Sequence, residues 1–326
     1  MATTMRNLNR LTTTIRTASS LLIHQTASYS GITRSSNTFS YLPQSHWLLL
    51  SNISRELTHG RNCHGCNISF STDVSAARDF DVKDVEKSNK SYVPNDVVLY
   101  QFEACPFCNK VQAFLEYYDI PYKVVEVNPM NKKEIKWSDY KKVPILMVDG
   151  EQMINSSDII DKMYQRMHPD SVTEDAETQE WRRWVDDHLV HVLSPNIYRS
   201  PSEALESFDY ITTKGNFSFT ERLVAKYGGA AAMYFVSKTL KKRHNITDER
   251  RALYEAADKW VRALNGRHYL GGSEPNLADL SVFGVLRPIR YLKSGKDMVE
   301  NTRIGDWFTR MENQMKPHRD TTLQGS

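Results

Sequence analysis

The first sustained apolar pattern in the chain opens at Val97. Val97–Phe102 is an apolar run of strand length, and it leads into Cys105-Pro106-Phe107-Cys108. Beyond that turn Val111, Phe114, Leu115 and Tyr118 recur at i, i+3, i+4 and i+7. This spacing predicts an amphipathic helix with Asn109, Lys110, Gln112 and Glu116 on its wet side. Tyr122–Val127 alternates as a second strand, and Asn128–Tyr140 is irregular and rich in lysine. Ile145–Val148 and Gln152–Ile154 flank Asp149-Gly150, a pair that favours the left-handed backbone of a type I′ hairpin. Pro144 heads the third strand, where a missing N–H is tolerated. Asn155-Ser156-Ser157 then caps a helix carrying Ile159, Ile160 and Met163.

The second half shows no strand signals. Trp181, Trp184, Val185, Leu189 and Val192 make one apolar helix face that ends before Pro195. Leu205–Thr212 reads as a short helix or loop, and Phe217–Ala225 as a further helix. The small residues of Gly228–Lys238 let another helix, or a planar ligand, come close. Asp248–Leu264 forms a long helix with Leu253, Ala256, Ala257, Trp260, Val261 and Leu264 inward. Tyr269-Leu270-Gly271-Gly272 is a turn; Asn276 is an N-cap to which Asp279 reaches back, a folding signal ahead of the buried run Leu280–Leu286. Thr302–Met315 is the last amphipathic helix. The element order β-α-β then β-β-α followed by helices predicts an α+β thioredoxin-like N-terminal domain joined to an all-α domain. The expected divisions are a leader and linker at 1–95, the thioredoxin-like domain at 96–168, a connecting helix region at 169–200, the helical domain at 201–316 and a disordered tail at 317–326.

Composition changes this picture mainly at the N-terminus. The 326 residues are 40% hydrophobic with a net charge of +3, the balance of a soluble globular chain of about two domains. Residues 1–55 hold five arginines (Arg6, Arg10, Arg16, Arg34, Arg55) and no acid, which leaves 37 basic and 39 acidic residues, or −2, for the rest. Nothing in that body argues for nucleic acid. The leader is rich in Ser and Thr and free of acid before Glu56, the composition of an organellar transit peptide. Arginines at 6, 10 and 16 within a Leu/Ile-containing stretch favour the mitochondrion, with the plastid as alternative. Trp47-Leu48-Leu49-Leu50 is far short of the ~20 residues that a spanning helix needs. No other window qualifies, so membrane association would be peripheral.

The chemistry gathers at Cys105-Pro106-Phe107-Cys108. Orphan N–H groups and the positive end of the helix dipole stabilise a thiolate at a helix N-terminus. Pro106 suits the first helical turn because its absent N–H is not needed there. Cys105 is therefore expected to be the exposed, low-pKa sulfur and Cys108 the buried resolving or structural one. A pair of core cysteines, or half of a zinc site, is the alternative. Cys63-His64-Gly65-Cys66 has the same spacing within the polar leader, where an incidental pair and a metal site with His64 are both open. Four cysteines in all suit a reducing compartment.

A Cys-Pro-Phe-Cys turn, a Val-Pro before a hairpin and a serine pair capping the next helix resemble the N-terminal domain of glutaredoxins and cytosolic glutathione transferases. The resemblance implies that the bond from Val143 to Pro144 is cis and that the Val143 backbone pairs with the cysteinyl part of glutathione. It implies that the cap at Asn155, Ser156 and Ser157 holds the γ-glutamyl carboxylate, with Asn155 where relatives often carry an acid. Orphan N–H groups at Ser156 and Ser157 make an anion site on physical grounds alone. The helical half narrows the likeness. Pro201–Ile211, Ala225-Lys226-Tyr227, Leu253–Val261 and Pro275–Leu280, with Tyr122–Pro129 and Lys142–Leu146 before them, resemble the membrane-associated prostaglandin E synthase type 2 branch of the glutathione transferase superfamily. That branch implies a dimeric, glutathione-binding isomerase of prostaglandin H2 that takes Cys105 as its catalytic thiol, has Phe107 lining the pocket and can bind haem. The tyrosine that usually stands three residues before the first cysteine is Phe102 here, which removes a hydroxyl from the thiol. Two other functions remain open: a glutaredoxin-like thiol–disulfide oxidoreductase using Cys105 and Cys108, and a haem, glutathione or iron–sulfur binding protein without turnover.

Overall fold

The apolar run Val97–Gln101 becomes β1, the central strand of a small mixed sheet in the computed structural model, which describes Tyr92 and residues 94–170, 174–215, 217–316 and 319–321. The arginine-rich leader, Trp47-Leu48-Leu49-Leu50 and Cys63-His64-Gly65-Cys66 lie outside the described residues. β1 runs through the Cys-Pro-Phe-Cys turn into α1 (Pro106–Tyr117) and returns as the parallel β2 (Tyr122–Glu126). β3 (Ile145–Val148) pairs antiparallel with β1, and β4 (Glu151–Ile154) with β3. Asp149 and Gly150 take φ of 50° and 86°, as the hairpin signal required. α2 (Ser156–Met167) completes the thioredoxin-like unit.

The rest of the described chain is helical but for one short strand. α3 (Ala176–Trp184) passes through a π-turn at Val185–Leu189 into α4 (Val190–Ile197). α5 (Pro201–Lys214) and α6 (Phe219–Val224) follow, and a second π-turn at Ala225–Gly229 joins α6 to α7 (Ala230–Arg243). α8 (Glu249–Leu264), α9 (Leu277–Leu286), α10 (Lys293–Asn301) and α11 (Ile304–Gln314) complete the set. Arg319–Thr321 then lies parallel to β2 as β5, inside the stretch read from the sequence as a disordered tail.

Several boundaries differ from the sequence reading for local reasons. Pro195 lies inside α4 instead of ending it. Asn196 beside it is fully buried and donates to the carbonyls of Val192 (3.0 Å) and Glu249 (2.6 Å), which anchors the last turn to α8. The short helix or loop at Leu205–Thr212 is the middle of the 14-residue α5, started by Pro201 in the first turn and the Ser200 cap. The small residues after Gly228 serve helix packing: a Cβ on Gly229 would stand 2.4 Å from the Phe208 ring of α5. The Asn276–Asp279 capping box forms, and the fully buried Asp279 carboxylate also accepts from Leu270 N–H and Trp307 Nε1, each at 3.0 Å.

The largest departure concerns α1. Asn109, Lys110, Gln112 and Glu116, assigned to the wet side, are 3%, 0%, 0% and 1% exposed. Sequence periodicity saw one apolar stripe, but α9 covers the opposite face of the helix, so α1 is buried all round. These polar side chains have internal partners on both sides of the helix. Glu116 takes Arg287 (2.8 Å) and the Tyr122 hydroxyl (3.0 Å), Gln112 donates to Gln101, and Lys110 reaches Asp186 (2.6 Å). Contact between the two helices is backbone to backbone at Gly284, where a Cβ would sit 2.5 Å from Lys110 Cα.

Gly284→Ala is therefore expected to destabilise the fold by about 2 kcal/mol, lowering the melting temperature by roughly 6 °C in a thermal scan. Alanine's better helix propensity, about 1 kcal/mol, is outweighed because the clashing atoms are main chain and cannot rotate away. A variant that melts at or above the parent temperature would refute the close approach.

Candidate active site

Cys105 is the N-cap of α1, with an extended backbone (φ −80°, ψ 121°) and no side-chain cap. Its N–H donates to Phe102 O (2.9 Å), and Asn109 ties the turn by donating to Glu103 O (2.7 Å) and Cys105 O (3.0 Å). Cys105 is half-buried as a residue, while Cys108, one turn on, is fully buried. The Cys108 thiol hydrogen-bonds the Cys105 sulfur; this bond, helped by the N–H groups of Cys108 and Phe107, holds Cys105 below the ordinary thiol range against the cost of burial. Burial first, and then the same bond, pushes Cys108 well above that range. Such an arrangement favours the thiolate form of Cys105 and keeps a thiol donor beside it.

Around this pair the sheet face away from α1 is lined by Val127, Ile135, Val143 and Ile145, against which Cys105, Phe102 and Tyr140 pack. The Val143–Pro144 peptide is cis. Val143 is buried, yet its N–H and C=O have no partner among the described residues. A buried main-chain segment left unpaired beside a reactive sulfur fits an extended peptide backbone such as that of glutathione. Pro106 occupies the first position of α1. Phe107 packs toward the larger core, with Lys110 Nζ 5.9 Å from its ring centroid.

The cap of α2 is built differently from the simple anion site expected. Asn155 is the N-cap at φ 67°, and its Oδ1 accepts the Ser157 N–H at 3.3 Å. The Ser157 hydroxyl donates to Asp186 Oδ2 (2.8 Å) and accepts from Lys110 Nζ (3.2 Å), so it faces inward to the helical half. Ser156 is buried as the first helical residue, whose N–H has no intrahelical partner. The Ser156 N–H is thus one of the donors this cap leaves for a ligand.

Four neighbours were missed in the sequence: Lys110, Asp186, Tyr140 and Glu126. Lys110 was hidden by the single-stripe reading of α1, and Asp186 and Tyr140 gave no local signal. Glu126 was legible, because alternation in Tyr122–Val127 puts it on the same face as the buried Tyr122. Among the described residues no group of three or more His, Cys, Asp or Glu side chains is placed to hold a metal ion.

At pH 6.5, iodoacetamide is expected to label Cys105 and spare Cys108, as peptide mass spectrometry would read. Cys108→Ser should raise the pH at which Cys105 alkylation reaches half its maximal rate, because a serine hydroxyl is a poorer match to that hydrogen bond. An unchanged profile would remove Cys108 as the thiolate's donor.

The family model described as glutathione S-transferase, N-terminal domain, matches residues 99–170, and that for the C-terminal domain matches residues 225–314. Prostaglandin E synthase 2 of Danio rerio is 41% identical over 285 residues, covering 73% of this chain and 74% of its own. The protein of that name from Mus musculus is 42% identical over 269 residues, covering 66% and 69%. Among solved structures, the β-etherase LigF of Sphingobium sp. strain SYK-6 is 19% identical, covering 69% of this chain and 97% of its own at a TM-score of 0.46. Poplar glutathione transferase F1 is 15% identical, covering 67% and 93% at a TM-score of 0.45. With a relative 41% identical over 73% of the chain, and models of both glutathione S-transferase domains matching, the chain belongs to the prostaglandin E synthase 2 family of the glutathione S-transferase superfamily.

Proposed function

We propose that this chain is a glutathione-dependent thiol enzyme that isomerises prostaglandin H2 to prostaglandin E2 through Cys105. The observation that carries the reading is the depressed Cys105 thiol at the α1 N-terminus, beside the unpaired Val143 backbone. The Cys105 thiolate attacks one endoperoxide oxygen, the O–O bond breaks, and the other oxygen takes a proton to become the hydroxyl. A proton then leaves the carbon bearing the sulfur-bound oxygen; as the C=O forms, the S–O bond breaks and the thiolate returns. Phe102 supplies no hydroxyl to this thiolate, so the Cys108 thiol takes that place. Glutathione would lie along Val143 with its γ-glutamyl carboxylate at Ser156. The family likeness also supports a homodimer, and the leader's composition supports delivery to the mitochondrion.

A second reading, thiol–disulfide exchange with glutathione, is favoured by one observation. Cys108 is bonded to Cys105 and buried, as a resolving thiol would be. An isomerase uses that residue only as a hydrogen-bond donor to Cys105, not as a second reacting sulfur. Incubation with prostaglandin H2 and glutathione, with products read by mass spectrometry, separates the two. Cys105→Ser is expected to lose both activities by at least about 100-fold. Cys108→Ser should keep most of the isomerisation and lose disulfide reduction. Full isomerisation by Cys105→Ser would sink the thiol mechanism.

A further inference from the structure

Beneath the first turn of α1 lies a polar cluster that neither reading uses. Gln101 and Glu126 end their strands as register partners, so their side chains share the α1 face of the sheet. Gln101 Nε2 donates to Glu103 Oε2 (3.1 Å) and to Glu126 Oε2 (3.3 Å), while Glu126 Oε1 accepts the Glu103 N–H (2.8 Å). The Gln101 oxygen accepts from Gln112, which stands one helical turn after the buried Cys108. The cluster joins the reactive turn through the chain: Glu103, bonded to Glu126, is two residues before Cys105, and the Phe102 backbone next to it bonds the Cys108 sulfur. The Glu126 charge opposes thiolate formation at both Cys105 and Cys108. Burial, and then the like charges of Glu103 and Glu134, push the Glu126 carboxyl up to about 8 against the pull of the Glu103 N–H and the Gln101 amide.

Cys108 needs a proton acceptor if it is to react. Burial keeps it a thiol near neutrality, and Gln101 and Gln112 are neutral amides that cannot take a proton. Tyr100 and Tyr140 pack in the same cluster as Cys108, but burial first holds their phenols protonated, so neither can take its proton. We propose that Glu126 is the proton acceptor that frees Cys108 to resolve a Cys105–glutathione mixed disulfide. The inference rests on the second reading above. In the step, the Cys108 proton passes to the Glu126 carboxylate and the Cys108 sulfur attacks the Cys105 sulfur. The bond from Cys105 to glutathione breaks as the Cys105–Cys108 disulfide forms, and the departing glutathione thiolate takes up a proton as Glu126 gives one back. Two further glutathione thiols reduce the protein disulfide, leaving as glutathione disulfide and restoring both cysteines.

The test mixes the reduced full-length chain with glutathione disulfide and follows acid-quenched samples by mass spectrometry, which separates the mixed disulfide on Cys105 from the internal disulfide. In the parent, closure of the internal disulfide is expected to accelerate with pH through an inflection near 8. Glu126→Gln should acquire glutathione on Cys105 but close about 100-fold more slowly, with its inflection moved upward. Glu103→Gln retains the acceptor and removes its like-charged neighbour, so the inflection should move down. If Glu126→Gln does not fold, as circular dichroism would show, the direction of the Glu103→Gln shift decides. Parental closure by Glu126→Gln, or an unmoved inflection in Glu103→Gln, overturns the inference alone. A parent protein that never takes glutathione onto Cys105 overturns the disulfide-exchange reading and the inference together.

Discussion

The structure depends on burying α1 from two sides while leaving its first residue open. The sheet covers one face, α9 covers the other, and Cys105 sits at the one end that neither reaches fully. A helix enclosed in this way cannot fray at its N-terminus, so the N–H groups that stabilise the thiolate stay in place. The glutathione transferase-like pairing of a sheet domain with a helical domain is thus more than an addition to a thioredoxin-like unit. It is what fixes the reactive turn.

Enclosure has an electrostatic cost that the chain meets with partners from distant segments. Lys110 is buried beside Asp186, which is 76 residues away, and Glu116 beside Arg287, 171 residues away. Desolvation lowers the Lys110 pKa and Asp186 restores part of it. Such pairs add little net stability, yet removing one partner leaves a buried charge costing about 3–5 kcal/mol. They act chiefly as specificity, since α1 fits only where those counter-charges stand. Arg250 does the same in the helical half, binding Glu203 (3.2 Å), Asp297 (2.9 Å) and Asn196 (3.0 Å).

Local patterns in the sequence carried most of the fold. The succession of elements from β1 to the helix after β4, the Asp149-Gly150 hairpin, the Asn276 cap and the placement of Cys105 at a helix N-terminus all depend on residues within a few positions of one another. What escaped was set by contacts far along the chain. No periodicity within α1 announces that α9 will lie on its polar side, so Lys110 and Glu116 read as surface. Ser157 also bonds Asp186, a partner that nothing local predicts. Pro195 looked like a stop, since the anchoring of Asn196 to α8 is invisible from α4 alone.

The two faces of the sheet are roofed by different means. On the α1 side the cover is helical and its polar groups are matched across the whole chain. On the side where Phe102, Val143 and Tyr140 meet Cys105, the cover is the irregular segment 128–142 with a single 3-10 turn at Lys133–Ile135. That segment satisfies much of its own polarity: Lys132 N–H donates to Asn128 O (2.8 Å), Trp137 Nε1 to Glu134 O (2.7 Å) and Lys132 Nζ to Lys141 O (2.9 Å). Insertions or exchanges there reshape the wall facing the thiolate without disturbing α1 or its counter-charges. Change over evolutionary time therefore has an inexpensive route to new substrates, with the nucleophile and its scaffold left alone.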